Sequence, residues 1–251
     1  MKNHILFSDD FRAFPIGEFP YDPDHTATGE YHYVVEKGDH GAWVDQVVNY
    51  SWNGHGPTWL MTEKDGRHFM ECQRIEKNHP HRIFPTLQTG KTAWNNYAVS
   101  AAVRRLSLRG MAGLCFCMNH SIDTLVFSLE NGDTARLAHR YKEEIRILAE
   151  VPFACDSDTE YRFCVDVQNG HVRCAIDGST VIEADVPQAP RGGKIALTAD
   201  CPTRFGDVQV CVTPEEAEAI HQREEAAAQC ERSEMAKRPA MKLWKKIDLQ
   251  N

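Results

Sequence analysis

From about Tyr97 to Val212 the chain alternates apolar and polar residues with a period of two. Tyr97, Val99, Ala101 and Val103 alternate with Ala98, Ser100, Ala102 and Arg104. Ile145, Ile147, Ala149 and Val151 alternate with Arg146, Leu148 and Glu150. Tyr161, Phe163, Val165 and Val167 do the same, and Val172, Cys174 and Ile176 continue the pattern. Successive side chains of a strand point to opposite faces, so each run places one face on a core. Asn131-Gly132, Asn169-Gly170 and Asp177-Gly178 punctuate the runs with residues that tolerate the positive φ of a tight hairpin turn. Helical periodicity is absent here. The pattern predicts an all-β chain whose antiparallel sheets pack face to face.

The flanks read differently. The first ninety or so residues are broken by Pro15, Pro20, Pro23, Pro57, Pro80 and Pro85 and are dense in aromatics. They predict long loops with short strands near residues 31–35, 59–62 and 68–75, and binding surfaces often lie on such loops. After Val212, Thr213 is placed as a helix N-cap, Pro214 as the first helical residue, and Glu215 and Glu216 in the first turn. The apolar stripe of this helix (Ala217, Ile220, Ala227, Cys230) is thin, which predicts a linker helix on the surface. Pro239 stops it, and Met241–Leu249 alternates like a new strand. The expected organisation is a sandwich over 1–212, a helical linker over 213–238, and a terminal strand or the start of a further domain over 239–251.

Charge and cysteine content narrow the function classes. The formal net charge of -8 repels a polyanion, and no basic stripe reverses it, so nucleic acid is not an expected partner. The opening residues lack the apolar run of an export signal, and no stretch approaches a membrane span. A cytoplasmic location without membrane contact is the expectation. The nine cysteines are then expected to be free, buried thiols. Cys115 and Cys117, two apart, are expected to share one face of a strand.

Trp94-Asn95-Asn96-Tyr97-Ala98-Val99, Gly113-Leu114-Cys115-Phe116, Tyr161–Val167 with Ile176-Asp177-Gly178, Gly193–Leu197 and Phe205–Val210 follow one another in an order that resembles the concanavalin A-like lectin/glucanase superfamily. The first is similar to its "W-x-x-Y-x-V" strand and the second to its "G-L-x-F" strand. Tyr161–Val167 followed by Ile176-Asp177-Gly178 resembles the hairpin ending in "V-D-G". Gly193–Leu197 and Phe205–Val210 resemble the closing strands, and Phe7–Phe11 the first. The resemblance covers roughly residues 5–212 and implies a jelly-roll sandwich with a C-terminal linker helix. Met241–Asn251 also looks like the entry to the catalytic part of rhamnogalacturonan lyase-like multidomain proteins. Members of the superfamily are lectins, carbohydrate-binding modules, glucanases and lyases, so an oligosaccharide or polysaccharide is the implied partner, beside a downstream domain of the same chain.

Catalysis by this fold needs acids that share a strand face. Asp156, Asp158 and Glu160 have alternate spacing but sit at a turn-like, polar position, and Glu183 and Asp185 lack a third acid. The lyase motifs are not found. These departures favour a non-catalytic carbohydrate-binding module of a larger carbohydrate-active protein. The alternatives are a glycoside hydrolase or polysaccharide lyase, and a structural packing module. In Trp52–Trp59 the indoles suit a pyranose face, and His55 suits its hydroxyls. Trp52, His55, Trp59, Asn119, His120, Arg140 and Tyr141 are therefore the candidate ligand-binding residues. No cofactor is required on this reading. The resemblance also implies a structural calcium between the first and last strands, with Asp10 and Asp207 as its carboxylates.

Overall fold

A computed structural model of the chain describes residues 2–18, 43–45, 59–73, 85–120, 123–142, 144–187 and 192–237. The strands in chain order are β1 (His4–Asp9), β2 (Gly17–Glu18), β3 (Val44–Asp45), β4 (Trp59–Lys64), β5 (Arg67–Cys72), β6 (Thr86–Thr89), β7 (Ala98–Arg105) and β8 (Met111–His120). They continue with β9 (Asp123–Glu130), β10 (Thr134–Tyr141), β11 (Glu144–Pro152), β12 (Glu160–Gln168), β13 (His171–Ile176), β14 (Ser179–Asp185), β15 (Lys194–Ala199) and β16 (Thr203–Val212). One helix, α1 (Pro214–Lys237), comes last.

Among the described residues these strands make two antiparallel sheets. A nine-stranded sheet has the order β14-β13-β12-β7-β16-β5-β4-β2, with β1 paired to β16. A seven-stranded sheet has the order β11-β10-β9-β8-β15-β6-β3. The hairpins form where Asn-Gly and Asp-Gly predicted them: Asn131, Asn169 and Asp177 all have φ near +50°, each followed by a glycine at φ between 80° and 85°. Asp65-Gly66 turns β4 into β5 by the same chemistry.

The alternating residues fill the space between the sheets. Tyr97, Val99, Ala101 and Val103 from one sheet and Leu114, Phe116, Leu125 and Phe127 from the other are buried in one cluster. Phe127 and Phe163 meet across it with ring centroids 5.2 Å apart. The Tyr97 hydroxyl accepts a hydrogen bond from the Cys117 backbone N–H at 2.7 Å, tying the two sheets together. Burial pushes the Tyr97 phenol well above its usual range.

Bulges break the alternation at several places, and those in β8 and β11 reassign residues between the faces. Between Phe116 and His120 the β8–β9 register shifts, and Cys117 takes a left-handed φ of 48°. An extra residue in one strand turns the residues after it to the other face. Cys115 therefore packs outside the sheet, in a small cluster with Met111, Met118, Val126 and Ala196, while Cys117 joins the main core. The two cysteines do not share a face, contrary to the two-residue spacing. In β11, Ala138 pairs with Ile147 but Leu137 pairs with Ala149, which leaves Leu148 unpaired. Ala149 and Val151 pack on the core, whereas Ile145 and Ile147 turn outward, 37% and 50% exposed.

The helix begins as its sequence dictates, with the Thr213 hydroxyl accepting from the Glu216 N–H at 3.2 Å. It is more than a surface linker at this end. Ile220 is 3% exposed and belongs to the main core, and Arg223 donates to the Ala93 carbonyl at 3.1 Å. Beyond Arg223 the helix is almost wholly exposed, including Ala227 and Cys230. The nine cysteines, all among the described residues, form no disulfide. Among the described residues no helix is long and apolar enough to cross a membrane.

Candidate functional site

The outer face of the seven-stranded sheet is built by strand register. Directly opposed residues share a face, and Gln88, Ala196, Cys115, Val126, Ala138 and Ile147 lie opposite one another across six strands. The next row is Thr86, Thr198, Gly113, Ser128, Arg136 and Glu150. A third row pairs Thr124 with Arg140 and Arg140 with Ile145. Gly113 is obligatory in this floor, because a Cβ there would collide with the backbone of β9 at Phe127 and Ser128.

Much of this face is buried yet polar. Thr86, Gln88, Thr124, Ser128, Arg140 and Thr198 are all less than 9% exposed. Exposure rises toward β11, where Ile145, Ile147 and Glu150 are open. The Thr124 hydroxyl lies within hydrogen-bond distance of the Phe116 and Leu125 carbonyls, and Thr198 donates to the Pro85 carbonyl at 2.8 Å. Burial pushes the Cys115 thiol up, a trend opposed by the Arg140 charge and by hydrogen bonds to Thr124 and Thr198. Those groups thus surround one buried sulfur. Burial also holds the Arg140 guanidinium below its ordinary range, with Cys115 opposing that fall. Toward the open side Arg136 bridges two acids: Nη1 lies 3.3 Å from Glu130 and Nε donates to Glu150 at 2.5 Å. Ser128 donates to Glu130 at 2.7 Å.

The residues singled out in the sequence separate into distinct places. Arg140 and Tyr141 are strand neighbours and point to opposite faces. Arg140 lies on the outer face, while Tyr141, 49% exposed, sits at the end of the sheet opposite Asp123. Asp123 also pairs with His120, and the adjacent Asn119 is exposed, so Asn119, His120 and Tyr141 gather at that end. His139 joins them, with Nε2 2.9 Å from Asp123 and its ring 6.0 Å from that of Tyr141. Trp59 is a core residue and not a ligand contact. It is 2% exposed, with its ring 6.1 Å from Phe205 in the core, and presents no face to a sugar. Trp52 and His55 lie outside the described residues.

Asp10 and Asp207 do not fit a calcium site. Both Asp207 and Glu160 are bound by the Arg67 guanidinium, and Asp10 accepts from the Arg12 N–H. Neighbouring Asp9 caps Phe11 N–H and accepts from Trp43 Nε1 at 2.8 Å. Among the described residues no group of three or more His, Cys, Asp or Glu side chains could hold a metal ion. The candidate acids are equally occupied. Asp158 pairs with Lys64 and Arg104, and Glu160 with Arg67 and Arg104, on the outer face of the nine-stranded sheet. Glu183 and Asp185 both bind His171.

Sequence reading missed Gln88, Thr124, Ser128, Arg136, Glu150 and Thr198 as one surface. They come from five strands, of which β6 and β15 lie far in the chain from the consecutive β9, β10 and β11, and the pairing register brings them onto one face.

No family model matches the sequence, and no curated protein matches it. Solved structures do match in fold. A carbohydrate-binding module from Bacillus subtilis superposes with a TM-score of 0.51 at 12% identity, over 68% of this chain and 95% of the other. A Bacillus subtilis protein of unknown function with a galectin-like fold superposes with a TM-score of 0.52 at 12% identity, over 84% of this chain and 98% of the other. With the two antiparallel sheets and their order, these matches show that the chain has the concanavalin A-like β-sandwich fold.

Proposed function

We propose that this chain binds carbohydrate on the outer face of its seven-stranded sheet, entered from the β11 side, and acts by binding without catalysis. The observation that carries the reading is the polar character of a buried sheet face. Burying hydroxyl, amide and guanidinium groups costs free energy that a face used only for packing avoids by being apolar. Thr86, Gln88, Thr124, Ser128, Arg140 and Thr198 instead make a polar floor, several of them bonded within the protein, and half-buried Arg136 and exposed Glu150 carry that polar surface out to the β11 side, where a sugar's hydroxyls can meet it. The fold shared with a carbohydrate-binding module supports the ligand class. Binding is favoured over hydrolysis because the acids on this face, Glu130 and Glu150, are both ion-paired to Arg136.

The test is incubation with pectic, β-glucan and host-type oligosaccharides, read by thermal shift and by product analysis together. One sugar class is expected to raise the melting temperature, by the linkage of ligand to the native state, and to be recovered intact. Released products would replace this reading with a hydrolase or lyase. A melting temperature unmoved by every sugar would leave a structural packing role.

A further inference from the structure

Strand β11 is the outermost strand of the seven-stranded sheet among the described residues, nine residues long. Its outer edge carries a row of backbone donors and acceptors that pair with no described strand. Folded proteins usually blunt such an edge with charged residues, proline, a bulge or short length. β11 bulges at Leu148 and ends in Pro152, so residues 144–147 are the part whose edge stays regular, and they contain neither lysine nor proline. Among the described residues the sheet's other outermost strand, β3, covers two residues. The Leu148 bulge adds two exposed isoleucines, Ile145 and Ile147, to the outer face. On the opposite face of the strand Glu144 and Arg146 are exposed, and neither makes an ion pair among the described residues. Their neighbours are engaged: Arg136 by Glu130 and Glu150, His139 by Asp123, and Lys142 by the Tyr141 ring at 5.3 Å.

We propose that this edge is a dimer interface, occupied by β11 of a second copy of the chain running antiparallel about a two-fold axis through Ile145. Charge selects that register. A two-fold at Ile145 sets Glu144 of each copy opposite Arg146 of the other, giving two reciprocal ion pairs on one face. On the other face Ile145 meets its counterpart, with Ile147 of each copy diagonal to it. A two-fold at Ile147 would instead oppose Glu144 with Glu150, two like charges. In the chosen arrangement both outer faces open to the same side. If they hold sugar as proposed above, the dimer is a bivalent binder; the dimer itself does not depend on that reading.

Sedimentation velocity of the full chain, without sugar and over a wide concentration range, tests the interface. A concentration-dependent dimer is expected, and Ile145→Lys should leave monomer at every concentration with an unchanged circular dichroism spectrum and melting temperature. Arg146→Glu should also abolish the dimer, and Glu144→Arg combined with Arg146→Glu should restore it, because only the exchanged pair recovers both contacts. A wild-type chain that stays monomeric throughout, or a dimer that survives either Ile145→Lys or Arg146→Glu, would overturn the proposal.

Discussion

Glu71 carries a carboxylate that is 4% exposed on the outer face of the nine-stranded sheet. It survives there because it is fully paired: Arg204 Nε donates at 2.7 Å, Thr62 Oγ1 at 3.1 Å, and Gln73 also donates. Removing one partner of a buried pair strands the other charge. Arg204→Met should therefore cost about 3–5 kcal/mol in urea unfolding, while Arg204→Met with Glu71→Leu should recover most of that loss. His171 shows the exposed counterpart. Nδ1 lies 2.8 Å from Asp185 and Nε2 2.8 Å from Glu183, and hydrogen bonds to these acids raise its pKa. A raised folded-state pKa contributes stability that is fully present below the unfolded value and is lost as pH rises through the folded one. The melting-temperature advantage of wild type over His171→Gln is thus expected to be greatest at mildly acidic pH and to vanish at alkaline pH; an advantage independent of pH would refute the assignment. Neither cluster was legible in the sequence, because Arg204 lies 133 residues from Glu71 and His171 lies 12 from Glu183, and each pair meets only through strand pairing. Trp59 failed in the opposite sense, since an indole suited to a sugar is chemically equally suited to a core.

Hairpins were the most legible elements. Asn-Gly and Asp-Gly dictate positive φ locally, so no tertiary information is needed to place those turns. The helix start was equally local, and it carries its own prediction. Thr213→Ala removes the hydroxyl that accepts the Glu216 N–H and should lower stability by about 1 kcal/mol, measured by denaturant unfolding. Thr213→Ser should be close to wild type. How the helix packs was less legible: the thin stripe pointed to a surface linker, whereas its first residues, Ala217 and Ile220, dock on the sandwich. Bulges were illegible. The period-2 pattern of β11 assigns Ile145, Ile147, Ala149 and Val151 to one face, but the extra Leu148 splits them between core and solvent. A one-residue offset between Cys115 and Met118, set against β15, likewise parts Cys117 from Cys115. A bulge depends on the partner strand's register, which a single strand's sequence does not encode.

At the scale of the whole molecule, the fold was readable because alternation from Tyr97 onward repeats over many strands, and a local bulge does not erase the pattern. The candidate site was readable only in part, as Arg140, because the rest of that surface is assembled by the order β11-β10-β9-β8-β15-β6. The distribution of thiols is a global consequence of the same packing. Burial pushes Cys117 up to about 12 and raises Cys115, Cys155, Cys174 and Cys201, while Cys230 stands exposed on the helix. The thiolate is the reacting form, so iodoacetamide should label the native protein fastest at Cys230, and Cys230→Ser should remove that fast phase. The central claim is that the polar outer face of the seven-stranded sheet holds a sugar. Isothermal titration of the oligosaccharide that gives the largest thermal shift, into wild type, Gln88→Ala and Arg140→Met, tests it most directly. The account predicts at least about a tenfold loss of affinity, ~1.4 kcal/mol, in each variant with the fold retained by circular dichroism. Wild-type affinity in both folded variants would contradict it and move the ligand away from this face.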